Sequence, residues 1–219
     1  MAQHKTWLSI GTIALILFFG LARAVSLHAS WLTNFDTTIQ QQVAQLVTNS
    51  RTQVSMTISF FGSPAVVIIL TLLLAGALWL RHERLLAVWI MLVQIGGDGI
   101  AFICKKLIHR PRPNGKLLPD TGFSFPSGHT FSTALLILTL LFIIVPLLED
   151  QEVQLLVTLL AIIWLCLVAW SRFYLRDHYP SDVLASLFLA TAWWSAMRIA
   201  YLNYLATNFK YLKSPKEGH

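Results

Sequence analysis

A histidine, two aspartates and two arginines crowd into one short segment, Ser171–Asp182, reading Ser-Arg-Phe-Tyr-Leu-Arg-Asp-His-Tyr-Pro-Ser-Asp. Pro180 suits the first position of a helix, where its missing N–H costs nothing. Asp182 then falls in the first turn, and its carboxylate reaches back to His178 just ahead of the helix. A carboxylate beside an imidazole fixes the tautomer and raises its basicity, the arrangement of a nucleophile or base. Arg172 and Arg176 carry guanidinium forks that suit a phosphate. The plain alternative is a basic turn between two membrane helices, with His178 facing water. Two further segments decide between the readings.

The first is Lys105-Lys106-Leu107-Ile108-His109-Arg110-Pro111-Arg112-Pro113, in which Lys105, Arg112 and Pro113 make a pattern of Lys, six residues, Arg-Pro. The second is Pro126-Ser127-Gly128-His129, which opens a long apolar run. At a helix N-terminus Ser127 and Gly128 can turn backbone N–H groups toward an anion, with His129 in the first turn. The seven histidines do not combine with cysteines or carboxylates at metal-ligand spacing. No metal and no cofactor are expected.

In this order the three segments resemble the signature of the type 2 phosphatidic acid phosphatase superfamily. The surroundings, Phe125–Thr130 and His178–Asp182, are similar to its bacterial membrane branch, which includes phosphatidylglycerophosphatase B-like and undecaprenyl-diphosphate phosphatase-like enzymes. The resemblance implies His178 as the nucleophile, Asp182 as its orienting carboxylate and His129 as the general acid. It implies Lys105, Arg112, Ser127, Gly128 and Arg172 as the phosphate-binding set. Residues between Arg172 and His178 are variable ground in the family and say little about substrate. Phosphatidylglycerophosphate, undecaprenyl diphosphate and phosphatidic acid all present a terminal phosphate on a lipid and fit equally. Two other classes stay in view: a catalytically silent lipid-binding or lipid-flipping protein on the same scaffold, and a vanadate-dependent haloperoxidase. The intact His178, His129 and Asp182 count against the first, and the apolar runs count against the second, a soluble class.

The elements that must position these residues are membrane spans. Only 12% of the 219 residues are charged, against roughly 25% in soluble domains, and mean hydropathy is +0.64. Several apolar runs approach the ~20 residues that cross a bilayer. The formal charge of +6 sits in the caps between runs, which favours anionic lipid headgroups over nucleic acid as partners. Cys104 and Cys166 lie inside apolar runs and are expected as free, buried thiols. The expected fold is all-α and polytopic, a single domain over residues 1–219. Its six transmembrane helices run over Trp7–Ala24, Pro64–Leu80, Leu85–Ile108, His129–Leu148, Val153–Trp170 and Ser181–Tyr201. Ala22-Arg23-Ala24 has the small-residue pattern of a signal cleavage site, but the first helix is expected to be retained.

Between the first two spans, residues 28–53 carry Phe35, Ile39, Val43, Leu46 and Val47 at helical spacing, with Asp36, Gln40 and Gln41 on other faces. This reads either as an amphipathic surface helix that fences the site or as an ordinary packed connector. Asp98, among Gly96, Gly97 and Gly99, is expected to hydrogen-bond where helices pack closely. His109, Lys106 and Arg110 are expected to meet lipid headgroups, His4 and His82 to lie on the surface, and Lys210, Lys213 and Lys216 to mark a solvated tail. Six spans put both termini on one side, taken as the inside of the cell membrane, and all three motifs on the extracytoplasmic face.

Overall fold

The computed structural model describes residues 2–213, with side chains described for residues 5–207. Among the described residues it is all-helical: α1 (Ala2–Ser26), α2 (Ser30–Ala44), α3 (Asn49–Phe61), α4 (Pro64–Leu80), α5 (Arg84–Ile108), α6 (Gly128–Thr139), α7 (Gln151–Tyr174) and α8 (Pro180–Lys213). A π-turn at Leu140–Ile144 and a 3₁₀ turn at Val145–Leu147 prolong α6. Lys216 and the side chains of His4, Lys210 and Lys213 lie outside the described residues.

Lys5–Ser26, Arg84–Ile108, Gly128–Leu147, Gln151–Tyr174 and Pro180–Thr207 are each long and apolar enough to cross a bilayer. Helix α4, with 17 residues, reaches only about 25 Å at 1.5 Å per residue, short of a ~30 Å hydrocarbon core. It passes the same test together with α3, from which it is bent by 43°, so among the described residues the spans number five, or up to six if that pair is one. The bend has a local cause. Ser63 caps α4 by accepting the Val66 N–H, and Pro64 stands at its first turn. At Gly62 an added Cβ would lie 2.6 Å from Val168 Cγ2, so α7 crosses against bare backbone.

Leu and Ile side chains of α1, α4, α5 and α7 point outward, as lipid-facing surfaces must when all backbone groups are paired within helices. Helix α1 lies along α8, and α6 sits centrally against α4, α5, α7 and α8. Accordingly α6 is buried from Thr130 to Ile137, as a helix apolar all round should be. Phe18, Ile90, Val93, Phe125, Phe131, Leu135 and Trp194 pack the core beneath the motif-bearing end.

Polar pins hold the spans in register. Gln94 donates to Asp98 at 3.0 Å and to Ser132 Oγ at 2.8 Å, and the Ser132 hydroxyl donates to Asp98 at 3.1 Å. Asp98 therefore joins α5 to α6. Gly97 allows this approach, since a Cβ there would meet Leu135 at 2.4 Å; Gly99 faces open space and has no such role.

Three expectations are corrected. The surface segment is two helices, not one, because Thr48 accepts the Arg51 N–H and starts α3 afresh. The buried face of α2 is Leu32, Asp36 and Val43, so Asp36 points inward while Phe35 is exposed. Cys104 is half-buried and Cys166 is exposed on an outward face; both are free thiols.

Candidate active site

All three motifs meet at one end of the bundle. Helix α7 stops because its last turn is drawn tight: the Arg172 carbonyl accepts both the Asp177 and His178 N–H groups at 3.2 Å. Leu117 N–H donates to the Leu175 carbonyl at 3.0 Å, fastening the 109–127 loop to this turn. Arg176 takes a left-handed φ of 57°, and its guanidinium passes 2.8 Å from where a Cβ on Gly115 would stand. Gly115 itself has φ +70°, a left-handed conformation that favours glycine. Helix α8 then opens at Pro180, and Asp182 Oδ2 accepts the Tyr179 N–H at 2.9 Å, tying off a first-turn donor.

This brings His178 and Asp182 together one turn apart. His178 is 1% exposed and Asp182 is fully buried. His178 Nδ1 lies 3.6 Å from Asp182 Oδ2, slightly beyond hydrogen-bond reach, and has no other protein partner. Asp182 Oδ1 accepts Arg110 Nη1 at 2.5 Å.

The expected cations surround the imidazole. Lys105, from the last turn of α5, donates to the Phe123 carbonyl at 3.0 Å, and its Cε lies 3.8 Å from where a Cβ on Gly128 would stand. Arg112 donates to the carbonyls of Asp177 and Thr121, each at 3.0 Å, and of Gly122 at 3.2 Å. Arg172, from the end of α7, donates one Nη to Ser59 Oγ of α3 and the other to Asp177 Oδ2 at 2.9 Å. Its buried Nε–H has no protein partner. Burial, with Lys105, Arg172 and Arg112 nearby, holds the His178 imidazole well below its ordinary value of 6.5.

The Pro-Ser-Gly-His segment divides its work. Ser127 is wholly buried, and its hydroxyl caps α6 on the Thr130 N–H. Its own N–H goes to the Asp182 carbonyl at 3.4 Å. Its backbone groups are thus committed to structure, its hydroxyl also lies 3.1 Å from that of Thr130, and Gly128 and His129 stand in the first turn of α6. His129 lines a cavity of about 450 Å³ with Ser59, Phe60, Asp120, Arg172 and Asp177. It lies within electrostatic reach of His178, Lys105, Arg112 and Arg172.

Sequence reasoning missed four carboxylate or hydroxyl partners. Asp177, fully buried, holds Arg172 by its side chain and Arg112 by its carbonyl. Burial pushes its carboxyl above the usual range, against the pull of Arg172. Asp120 of the loop places Oδ2 3.0 Å from Arg112 Nη1 and 3.4 Å from Arg172 Nη2, bridging both forks. Ser59 comes from α3, and Asp36 from α2 binds Arg110 at 2.7 Å. Arg110, expected at lipid headgroups, instead stands between Asp36 and Asp182. Burial opposes its charge, but the two carboxylates outweigh that and hold it above its ordinary value. Among the described residues no group of three or more His, Cys, Asp or Glu side chains is placed to hold a metal ion.

A family model described as the PAP2 superfamily matches residues 84–205. Phosphatidylglycerophosphatase B of Bacillus subtilis (strain 168) is 26% identical over 185 residues, covering 81% of this chain and 88% of that protein. The crystal structure of a transmembrane PAP2 type phosphatidylglycerolphosphate phosphatase from Bacillus subtilis superposes with a TM-score of 0.74 at 21% identity. That match covers 94% of this chain and 98% of the other, and so it bears on the fold.

Proposed function

The chain belongs to the PAP2 superfamily and is a membrane lipid-phosphate phosphatase, and from that premise we propose that it works through a phosphohistidine on His178. Residues 1–219 form a single catalytic domain. Phosphatidylglycerophosphate is the substrate that the name of the Bacillus subtilis relative supports, ahead of undecaprenyl diphosphate and phosphatidic acid. The observation that carries the mechanism is the placing of Lys105, Arg112 and Arg172 around the buried His178, with the Arg172 Nε–H lacking a partner among the described residues.

Nδ1 of His178 faces Asp182, which leaves Nε2 to attack phosphorus. Its lone pair forms the P–N bond while the P–O bond to the lipid breaks. Asp182 stabilises the imidazolium that results. The lipid oxygen takes a proton from His129, which lines a cavity with Arg172 and Asp177. Water then attacks phosphorus and returns a proton to His129, and the P–N electrons return to Nε2. Lys105, Arg112, Arg172 and the first-turn amides of Gly128 and His129 hold the phosphate oxygens, with Ser127 shaping that turn as its cap. Such fixed donors commonly contribute about 10²–10³ in rate each. Three cations take the part a metal plays in other phosphatases, so the reaction proceeds without one.

The incoming phosphate displaces the Asp120 carboxylate, which otherwise bridges the two arginine forks. The site lies on the extracytoplasmic face of the cell membrane. The test is phosphate release from a panel of the three lipids by purified protein in detergent, beside His178→Ala. We expect turnover by the native protein and none by the variant, with both folded by circular dichroism. Lipid binding without release in either protein would favour the silent scaffold, and turnover by His178→Ala would remove the nucleophile.

A further inference from the structure

We propose that Arg110 is a positioning residue for the His178–Asp182 pair, fixing the Asp182 carboxylate and coupling it to α2 through Asp36. The inference rests on the reading of His178 and Asp182 given above. Arg110 is not part of the Lys105, Arg112, Pro113 pattern, and the chemistry of the phosphate does not call for it.

Its geometry is that of a bridge. Arg110 Nη2 donates to Asp36 Oδ2 at 2.7 Å, and Nη1 donates to Asp182 Oδ1 at 2.5 Å and to Ser181 Oγ at 2.8 Å. Asp36 also accepts the Ser181 N–H at 2.9 Å and the Ser181 hydroxyl at 2.7 Å. The guanidinium lies 4.0 Å over the ring of Tyr179, the residue after His178. Asp36 and Asp182 are both buried.

Two things follow for the catalytic carboxylate. A carboxylate turns freely about its last torsion unless both oxygens are held. Tyr179 N–H holds Oδ2 and Arg110 holds Oδ1, so Oδ2 is kept toward His178 Nδ1. Arg110 also supplies a cation in contact with both buried carboxylates, Asp36 and Asp182; without it their charges stand near each other uncompensated. A lysine cannot replace it, because a single ammonium does not span both acids with a planar fork.

Chemical rescue separates positioning from folding. Arg110 lines a second cavity of about 500 Å³ beside Asp36 and Tyr179, so a guanidinium ion can reach its place. In Arg110→Ala we expect kcat to fall about 10- to 100-fold, the scale of a small misplacement of a reacting group. KM for the lipid should change less than about three-fold, and millimolar guanidinium, but not ammonium, should restore much of kcat. Asp36→Asn keeps its carbonyl for the Ser181 N–H and removes one charge. Added to Arg110→Gln, it should recover part of the lost kcat, a sign that only charge coupling gives.

A rise in KM with unchanged kcat would return Arg110 to headgroup binding and overturn the proposal. So would absence of guanidinium rescue in a folded variant, or strict additivity in the double variant. His178→Ala measured alongside distinguishes the levels. If it stays active, the mechanism itself fails, whereas a dead His178→Ala beside a fully active Arg110→Ala rejects only this inference.

Discussion

Replacing Asp120 by asparagine should tighten the enzyme's grip on inorganic phosphate and on vanadate. Asp120 Oδ2 sits 3.0 Å from Arg112 and 3.4 Å from Arg172, and its side chain is 36% exposed. Each such partly solvated ion pair contributes about 0.2–1 kcal/mol, so the two together resist displacement by about 0.4–2 kcal/mol. An anion arriving at the forks has to overcome that sum, or accept repulsion from a carboxylate that stays close. In Asp120→Asn the amide keeps the shape and a carbonyl acceptor but removes the charge. With ten-fold per 1.4 kcal/mol, inhibition constants for phosphate and vanadate should fall by about 2- to 30-fold. The assay is competitive inhibition of lipid hydrolysis in detergent at fixed ionic strength, since screening weakens such pairs. Unchanged or weaker inhibition would mean that Asp120 holds the arginines in their working geometry, and the displacement argument would fall.

Other outcomes are expected. His129→Ala should slow an alkyl phosphate such as phosphatidic acid by about 10²–10⁴ but an aryl phosphate far less, because a phenolate leaves with little protonation; equal losses would leave His129 as a phosphate binder only. Activity should survive EDTA, and loss reversed by magnesium would require another mechanism. A cysteine replacing Asn114, with Cys104 and Cys166 removed, should react with an impermeant maleimide in intact cells; reaction only after lysis would invert the orientation. Burial and the cations around it hold the His178 imidazole below the value near 6.5 that it has when unfolded. The unfolded chain therefore binds more protons below about pH 6.5, and stability should be full above that pH and fall as pH is lowered. Melting temperatures in detergent at pH 8 and pH 5 check the sign, and His178→Gln should flatten the trend.

Spacing and residue type made the proximity of His178 and Asp182 in the candidate site legible. Pro180 announces a helix start, and Asp182 must then lie one turn from His178, whatever the tertiary fold. Five of the six expected spans were legible for a similar reason, since a bilayer sets their length; Pro64–Leu80 reaches that length only together with α3. Residues whose role depends on a distant partner were not. Asp177 and Asp120 act by holding arginines, and nothing local marks an acid that faces two guanidinium groups. Asp36 on a half-polar helix reads as solvent-facing, because the carboxylate's compensation arrives from Arg110 and Ser181. Ser127 has the composition of an anion cradle, but the same hydroxyl caps α6, and a cap and a ligand look alike in sequence. The break between α2 and α3 did carry a signal, Thr48 as a cap, with no glycine or proline to strengthen it.

The pairing of Asp36 with Ser181 spans 145 residues, and this imposes an order on how the protein is made. At about 5–20 residues per second, roughly 7–30 s separate synthesis of the two. For that interval α2 carries an acid whose later burial has no partner to support it, so α2 must wait at the watery surface until α5 brings Arg110 and α8 brings Ser181. A chain cut short before α8 leaves that carboxylate without its seat, offering quality-control proteases an undocked segment. Docking of α2 is therefore expected to come late, after α8 has been made.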